Sequence, residues 1–526
     1  MPTPGDTPTI SRSGVTAPQE HGIRRHWRTF WTAWAALFVL STLWALATPI
    51  GAAPDEPAHL VKAASVVRGE FIGAPGDFGH VVHVPQYIAW THAQTCYAFN
   101  DQVSAGCSTA APGDPGAIVL STTTAGLYNP VYYLVTGWPS LLFDSEVGVY
   151  AMRIMSALFT TVFLALSFMM VATWRRPAIP TLALAVIATP MLLFLAGTIN
   201  PNGVETTGIL AVFVAMLSIV REPSAALLAG RSAVLVVAAL AAVNSRGLSP
   251  VWLAVAIIVP LFLLPWPRLR ELLATRAVIA AIAGVAVVTG FSVAWVIGTS
   301  SLTAGIGDSD APVYPGTGAP AAYGFVFTLT RTFEFGSQLI GFFGWMDTPA
   351  PLMAQFVWAT LIGGLLLAAG ALLRRRELGV TVALLAAFLL LPAIIQGIYI
   401  TGGGFIWQGR YNFPLFACLL IAAAAFVATN IRPLPWAAQG GSSARRATVI
   451  VIAALALSQL YTFTAVLRRY VVGEDNSWLD FVRSPEWQPP GGTIVILVLF
   501  AIAAAASALL LARQLRRELS GASASS

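Results

Sequence analysis

TFWTAWAALFVLSTLWALATPI, residues 29–50, runs for 22 residues without a charged side chain. At about 1.5 Å of helical rise per residue, such a run covers the ~30 Å hydrocarbon core of a bilayer. It is longer and richer in tryptophan than a cleaved signal sequence, and no small-residue cleavage site stands convincingly before Gly51. It reads as a retained anchor with its amino end in the cytoplasm. The Pro/Thr/Ser-rich tail before it, residues 1–28, carries Arg12, Arg24, Arg25 and Arg28 and reads as disordered. Directly after it comes Ala53-Pro54-Asp55-Glu56-Pro57-Ala58-His59, which sets two adjacent carboxylates at the edge of the hydrocarbon, where charge is expensive.

The whole chain shares the character of this first run. Of its 526 residues 57% are hydrophobic and only 10% charged, with a mean hydropathy of +0.74, whereas a soluble globule carries about 25% charge. Disordered, collagen-like and disulfide-framework classes are thereby excluded. The net charge of +6 comes almost wholly from arginine, Lys62 being the one lysine. That bias fits a GC-rich genome better than a nucleic-acid partner.

Further apolar runs fall near 147–173, 178–198, 203–220, 225–243, 248–266, 277–298, 352–373, 378–399, 411–430, 447–467 and 491–512, giving about twelve spans in an all-α polytopic protein. With the amino terminus inside, the clusters Arg175/Arg176, Arg221/Arg231, Arg268/Arg270/Arg276, Arg374/Arg375/Arg376, Arg432/Arg445/Arg446 and Arg513/Arg516/Arg517 all become cytoplasmic. Together with the tail arginines they place 20 of the 29 basic residues inside, as loop charge asymmetry requires. Both termini are then cytoplasmic, with residues 29–512 as one membrane domain and 513–526 as a second tail. NPVYYLVTGWPSLLF, residues 129–143, is 15 residues long with two prolines. Counting it as a span would invert every later loop, so it is expected to lie in the outer interface.

The outer face then holds large loops over about 51–146 and 299–351 and a smaller one near 468–490. Cys96 and Cys107 share the first loop, an oxidising place where a bridge is expected, two unpaired thiols being the alternative. Cys418 falls inside a span and reads as packing. For Asp55 and Glu56 the choice is between catalysis and capping of the next helix. Asp after Pro is a good N-cap and Glu in a first turn suits the helix dipole, which explains one acid better than two. The following LVKAASVVRGEF reads as an amphipathic helix along the outer surface, with His59 one turn beyond Asp55.

Here the motifs acquire a family likeness. An acidic pair opening the first outer loop, an interfacial helix and an Arg-bearing second span resemble the glycosyltransferase C (GT-C) superfamily. More closely, PDEPAH, Asn129-Pro130-Val131-Tyr132-Tyr133, Arg153-Ile154, Asn244-Ser245-Arg246-Gly247, Gly344-Trp345-Met346-Asp347-Thr348-Pro349 and Gln408-Gly409-Arg410-Tyr411 resemble a bacterial membrane-protein family known as domain of unknown function 2142, over about residues 30–430. The resemblance implies a GT-C-like fold in a bacterial plasma membrane, with interfacial helices in the large first outer loop. It also implies transfer of a sugar from a polyprenyl-phosphate donor to a cell-envelope glycan, lipid or protein, with inversion at the anomeric carbon. Carried over, the general base is Asp55 with Glu56 as its neighbour, the pair raising the pKa of the base toward working pH.

A lipid phosphate leaving group needs guanidinium forks near the outer boundary. The candidates are Arg153, Arg246, Arg331 and Arg410, each alternatively a topological charge. Arg410 stands in TGGGFIWQGRY, where glycines allow close backbone approach and Trp407 or Tyr411 offers a face to a sugar. His59, Tyr132, Tyr133, Trp345, Asp347 and Gln408 complete the expected sugar and acceptor contacts, with Asp347 alternatively a loop cap. Glu205, after the turn-forming Asn200-Pro201-Asn202-Gly203, is placed to line the cavity.

His80, His83 and His92 could form a zinc site, although His80-Val81-Val82-His83 also reads as a short strand. A divalent ion, Mg or Mn, on the acidic pair is a second open metal reading. No Walker sequence, dinucleotide fingerprint or nucleophile elbow occurs, which argues against ATP-driven pumping. The rival functions are a transporter or flippase for a lipid-linked saccharide and a noncatalytic scaffold of envelope assembly. Acids at the outer boundary rather than at the midplane favour the enzyme.

Overall fold

A computed structural model describes residues 19–303, 314–431 and 441–523. Residues 1–18 of the expected tail, and Arg432, lie outside them. The first apolar run is part of α1 (Gln19–Ala47), so the helix begins ten residues before the anchor and occupies the last third of the stretch expected to be disordered. Behind it come α2 (Glu56–Val66), α3 (Gln86–Ala89) and α4 (Val131–Gly137) of the first outer loop. Then follow α5 (Val147–Val171), α6 (Ala178–Ile187), α7 (Pro190–Ala196), α8 (Asn202–Arg221), α9 (Ala225–Val243), α10 (Ser249–Leu261), α11 (Trp266–Leu273) and α12 (Arg276–Thr299). The second loop carries α13 (Ala321–Thr330) and α14 (Thr332–Ile340) before α15 (Leu352–Leu372), α16 (Arg375–Gly403) and α17 (Phe413–Asn430). The chain closes with α18 (Gly441–Val472), α19 (Trp478–Arg483) and α20 (Thr493–Ser523), the last running well past residue 512.

Helices occupy all twelve expected places, and among the described residues ten are long and apolar enough to cross a membrane. An eleventh crossing is broken. α6 and α7 meet at 65°, because Thr189 precedes Pro190 and is pushed out of helical geometry, to φ −63° and ψ 161°. The ends freed by the break are satisfied locally: Gln459 Nε2 donates to Ala188 O at 2.8 Å, and Thr189 Oγ1 to Leu339 O at 2.8 Å. The twelfth place is filled by α10, whose 13 residues reach only about 20 Å. The segment 129–143 forms α4 and a 3-10 turn, Trp138–Leu141, with Leu134, Trp138, Leu142 and Phe143 exposed.

α8 and α17 are buried along nearly their whole length, and the other helices surround them. A helix apolar on every side must be enclosed by protein or face lipid, and α12 and α16 take the second course with exposed Val287, Ile297, Val382 and Ile398. Trp44 packs the carboxyl-terminal half of α1 against its neighbours. Its ring lies 5.0–6.2 Å from those of Phe194, Phe343, Phe463 and Phe500, tying α1 to α7, α18 and α20.

The loop between α1 and α5 is more built than its sequence suggests. An antiparallel sheet, β1 (Ala74–Gly76), β2 (Gly79–Pro85) and β3 (Ile118–Thr123), pairs Ala74 with Val81 and His83 with Leu120. With α4 it roofs α2, which is buried at all eleven positions and so is not the surface helix expected. Thr123 Oγ1 donates to Ala58 O at 2.7 Å, and Lys62 Nζ to the carbonyls of Phe71 and Gly126. Burial lowers the Lys62 ammonium to about 7.

Cys96 and Cys107 are joined. Within the stretch they bracket, residues 97–103 wrap the buried Arg469 of α18, whose Nη2 donates to Tyr97 O and Asn100 O at 2.9 Å and whose Nη1 donates to Val103 O at 3.0 Å. Thiol labelling of unreduced, denatured protein is therefore expected to find one reactive cysteine, Cys418; three would show the loop unbridged.

Candidate functional site

The chain leaves α1 through Pro49 and reaches Asp55 in a left-handed conformation, φ 62° and ψ 4°. A non-glycine residue there costs about 1–2 kcal/mol, and the surrounding bonds hold it. Asn200 Nδ2 donates to Pro54 O at 3.1 Å, and Glu56 N to Ala53 O at 3.1 Å. This turn sends the two acids in opposite directions. Asp55 makes no cap bond to α2, so the capping alternative fails on geometry.

Glu56 points inward and is fully buried against Arg153 of α5. Its Oε1 accepts from Arg153 Nε at 2.7 Å and from Ile199 N at 3.1 Å, and its Oε2 from Nη2 at 2.5 Å. The remaining guanidinium hydrogens go to the carbonyls of Ala45, Thr48 and Pro49 at 2.6–3.0 Å. All five donors of Arg153 are taken. The expected phosphate ligand and the expected second catalytic acid thus form a closed internal pair that fastens the end of α1 to α5 and to the turn before α8.

Asp55 points the other way, and half of its side chain is exposed. Its Oδ2 lies 2.5 Å from Nη2 of Arg410, which is buried, and whose Nε and Nη1 donate to nothing among the described residues. Arg410 is presented by the 3-10 turn Gly409–Asn412 before α17. Gly409 is required here, because a Cβ would fall 2.5 Å from Phe335 O and 2.6 Å from Gln338 Cβ. Its amide donates to Gln338 Oε1 at 2.6 Å.

Arg246 joins the pair from the α9–α10 connection. Its guanidinium lies 4.3 Å from the Tyr411 ring centre and 5.9 Å from that of Tyr128, and Nη1 donates to Asn202 Oδ1 at 3.0 Å. Arg410 approaches the same Tyr411 ring, at 5.4 Å, so one aromatic ring braces both cations. Below them Glu205 accepts from Ser249 Oγ at 2.5 Å, and Ser249 Oγ accepts from Arg246 N at 3.1 Å. Asn202 is bonded in turn to Asn200, which reaches Pro54. The Asn-Pro-Asn-Gly turn therefore links the backbone of Asp55 to the side chain of Arg246.

Burial raises the pKa of Asp55, but Arg410, His59 and Arg246 more than offset it and hold the carboxyl below its ordinary value. The expected elevation by a neighbouring carboxylate is reversed, since Glu56 faces away. Burial also pushes His59 down to about 3. Its Nδ1 lies 2.8 Å from Tyr133 Oη, so neutral imidazole and phenol share one hydrogen bond.

The other expected residues make their bonds elsewhere than to Asp55 or Arg410. Arg331 forms a bidentate pair with Glu334, partly exposed on α14. Tyr132 bonds Ser156 at 2.9 Å. Trp407 is buried with Nε1 on Asn412 Oδ1 at 2.8 Å, whereas Gln408 Oε1 is buried without a donor among the described residues. Trp345 Nε1 donates to Gly51 O at 2.9 Å, which braces the turn before Asp55. Asp347 accepts from Phe99 N at 2.9 Å and from Thr348 Oγ1 at 2.8 Å and stands 3.5 Å from Arg469 Nη2, joining two outer loops.

Neither metal reading fits the donor geometry. Among the described residues no three His, Cys, Asp or Glu side chains converge. His83 pairs with Glu70, His92 bonds Thr122 O, and His80, an odd number of positions from His83 along β2, faces the other side of the sheet. Asp55 and Glu56 diverge, each toward its own arginine.

Sequence reasoning missed Tyr128, Asn200, Asn202, Ser249 and Arg469. For Asn200 and Asn202 the turn signal was visible, but the partners they reach are 146 and 44 positions away.

Residues 38–419 match the family described as Predicted membrane protein (DUF2142). The chain belongs to this family. No curated protein matches this DUF2142 chain. Two solved structures of ArnT from Cupriavidus metallidurans, one bound to undecaprenyl phosphate and one in the apo state, are similar to it at 16% identity. They cover 93% of this chain and 77% of theirs, with TM-scores of 0.42 and 0.40. No residue role in the DUF2142 chain is drawn from a likeness at that level.

Proposed function

We propose that this multi-pass membrane protein is an inverting glycosyltransferase of the bacterial plasma membrane. It takes a sugar from a polyprenyl-phosphate donor to a cell-envelope acceptor on the outer face, with both termini cytoplasmic. The observation that carries the reading is the buried guanidinium of Arg410, with two of its nitrogens, Nε and Nη1, donating to nothing among the described residues, beside a half-exposed carboxylate. A buried donor without an acceptor is costly, and a phosphate oxygen is the acceptor a guanidinium fork suits best.

In the proposed reaction the Asp55 carboxylate takes the proton of the acceptor hydroxyl as that oxygen attacks the anomeric carbon. The carbon–oxygen bond to phosphate breaks on the opposite face, and the lipid phosphate leaves with the electron pair, balanced by Arg410 and Arg246. Gln408 Oε1, a buried acceptor two positions before Arg410 in the sequence, is suited to a sugar hydroxyl.

The broken α6–α7 crossing is the feature a transporter reading would invoke, since ion sites in such proteins form at interrupted helices. Here the interrupted ends are bonded to Gln459, Leu339 and Trp358 rather than directed at a shared polar site.

Arg410→Ala is expected to weaken binding of undecaprenyl phosphate to purified protein roughly 10- to 100-fold, the loss of charge-assisted hydrogen bonds. Arg410→Lys should restore part of it, because a point charge replaces a fork. Parental affinity in the alanine variant would remove Arg410 from the donor site and this reading with it.

A further inference from the structure

Well away from Asp55, toward the arginine-bearing ends of α1, α18 and α20, these helices and α6 enclose a cavity of about 150 Å³. It is lined by small side chains, among them Thr32, Ala36, Ala185, Ala456, Ser507 and Ala508. Small residues on facing membrane helices ordinarily let the backbones close together. Here the gap stays open because the chain turns by 65° after α6, so that no straight helix continues along the space. Leu37, Leu40, Leu193 and Leu455 form a buried back wall, whereas Thr32, Ala36, Ala456, Ser507 and Ala508 remain partly exposed. The cavity is therefore closed on the core side and open on the side where a bilayer supplies hydrocarbon.

Its dimensions and charge select an occupant. Along α1 the lining runs from Thr29 to Leu40, about 16 Å by helical rise, or about half of the ~30 Å hydrocarbon core and so the depth of one leaflet. At the mouth, Arg28 adjoins Thr29 and Arg513 adjoins Gln514, both arginines exposed. The acid at this mouth, Glu518, has Oε1 bonded by Thr181 and Gln514. Gln459 Nε2 is spent on Ala188 O, and its Oε1, deep in the wall, has no donor among the described residues, which marks the inner limit for an apolar chain. We propose that the cavity holds one acyl chain of an anionic glycerophospholipid whose phosphate rests against Arg28 and Arg513. By loop charge asymmetry this is a lipid of the cytoplasmic leaflet, and the site is independent of the donor site at Arg410.

The test uses the full chain in nanodiscs of phosphatidylcholine and phosphatidylglycerol, with a trace of phosphatidylglycerol bearing a diazirine on its acyl chain. Photolabelling is expected to saturate and to map to α18 around Ala456 and to α20 around Ser507–Leu511. Unlabelled phosphatidylglycerol should compete and phosphatidylcholine should not. Ala456→Phe with Ser507→Phe should cut the labelling at least about ten-fold, equivalent to displacing two buried methylenes, and Arg28→Gln with Arg513→Gln should erase the preference for the anionic lipid. Label spread evenly over lipid-facing helices such as α12 and α16 in the parent protein would overturn the proposal, whatever the variants do. So would equal competition by phosphatidylcholine, or displacement by undecaprenyl phosphate.

Discussion

Asp55→Asn is expected to accumulate and unfold like the parent protein while transferring sugar at least about 100-fold more slowly, the factor usually credited to a positioned base. Asparagine tolerates the left-handed backbone as aspartate does, and its carbonyl still accepts from Arg410 Nη2. The lost charge is half exposed, so its effect on stability is screened. What the variant cannot do is accept a proton. The measurement is the envelope glycan of a deletion strain: the parental gene should restore what deletion removes, and the gene carrying Asp55→Asn should not. Full restoration by the variant would show that Asp55 is not the base.

The pH dependence follows from the same cluster. With burial raising the carboxyl and Arg410, His59 and Arg246 lowering it further, Asp55 remains ionised until the pH falls below its ordinary range, so the acid limb of transfer should lie below about pH 4. What little stability the half-exposed pairing contributes is present above that range and lost as the pH falls through the lowered value. On the proposed reaction, a donor phosphate that engages Arg410 would relieve the pairing and return the carboxylate toward the basicity a proton acceptor needs.

The membrane class and the helix positions were legible because they rest on hydropathy, and the candidate acids and arginines because they rest on charge near the bilayer edge, which are local properties. Asp55 and Arg410 each stood out by composition, yet they are 355 positions apart, and nothing in either segment states that they meet. The four candidate arginines show the limit most clearly. Arg153, Arg246, Arg331 and Arg410 look alike as outer-boundary charges, but what each does depends on its partner: Glu56 inside the bundle, Tyr411 and Asn202 at the mouth, Glu334 on its own helix, and Asp55. The burial of α2 was equally hidden. Its roof is a sheet whose strands come from two stretches about 40 residues apart, and the second, Ile118–Thr123, carried no motif.

Replacing the neighbouring acid should have the opposite consequence. Glu56→Gln is expected to cost about 3–5 kcal/mol, because it strands the Arg153 charge in a site with no access to water. Against a total stability of about 5–15 kcal/mol, that is a large fraction, enough to lower both accumulation and the unfolding temperature. Arg153→Met should do the same by leaving the buried Glu56 without its counter-ion and by stripping donors from the carbonyls of Ala45, Thr48 and Pro49. The double variant Glu56→Leu/Arg153→Met removes both charges and should recover only part of the loss, since those three carbonyls stay unpaired. Accumulation in cells and thermal unfolding in detergent measure both effects. The contrast with Asp55→Asn is the discriminating result: a stable protein without transfer on one side of the turn, and an unstable protein on the other. If Glu56→Gln instead accumulates and unfolds like the parent but fails to transfer sugar, the inward acid is the catalytic one, and the left-handed turn at Asp55 serves only to aim it.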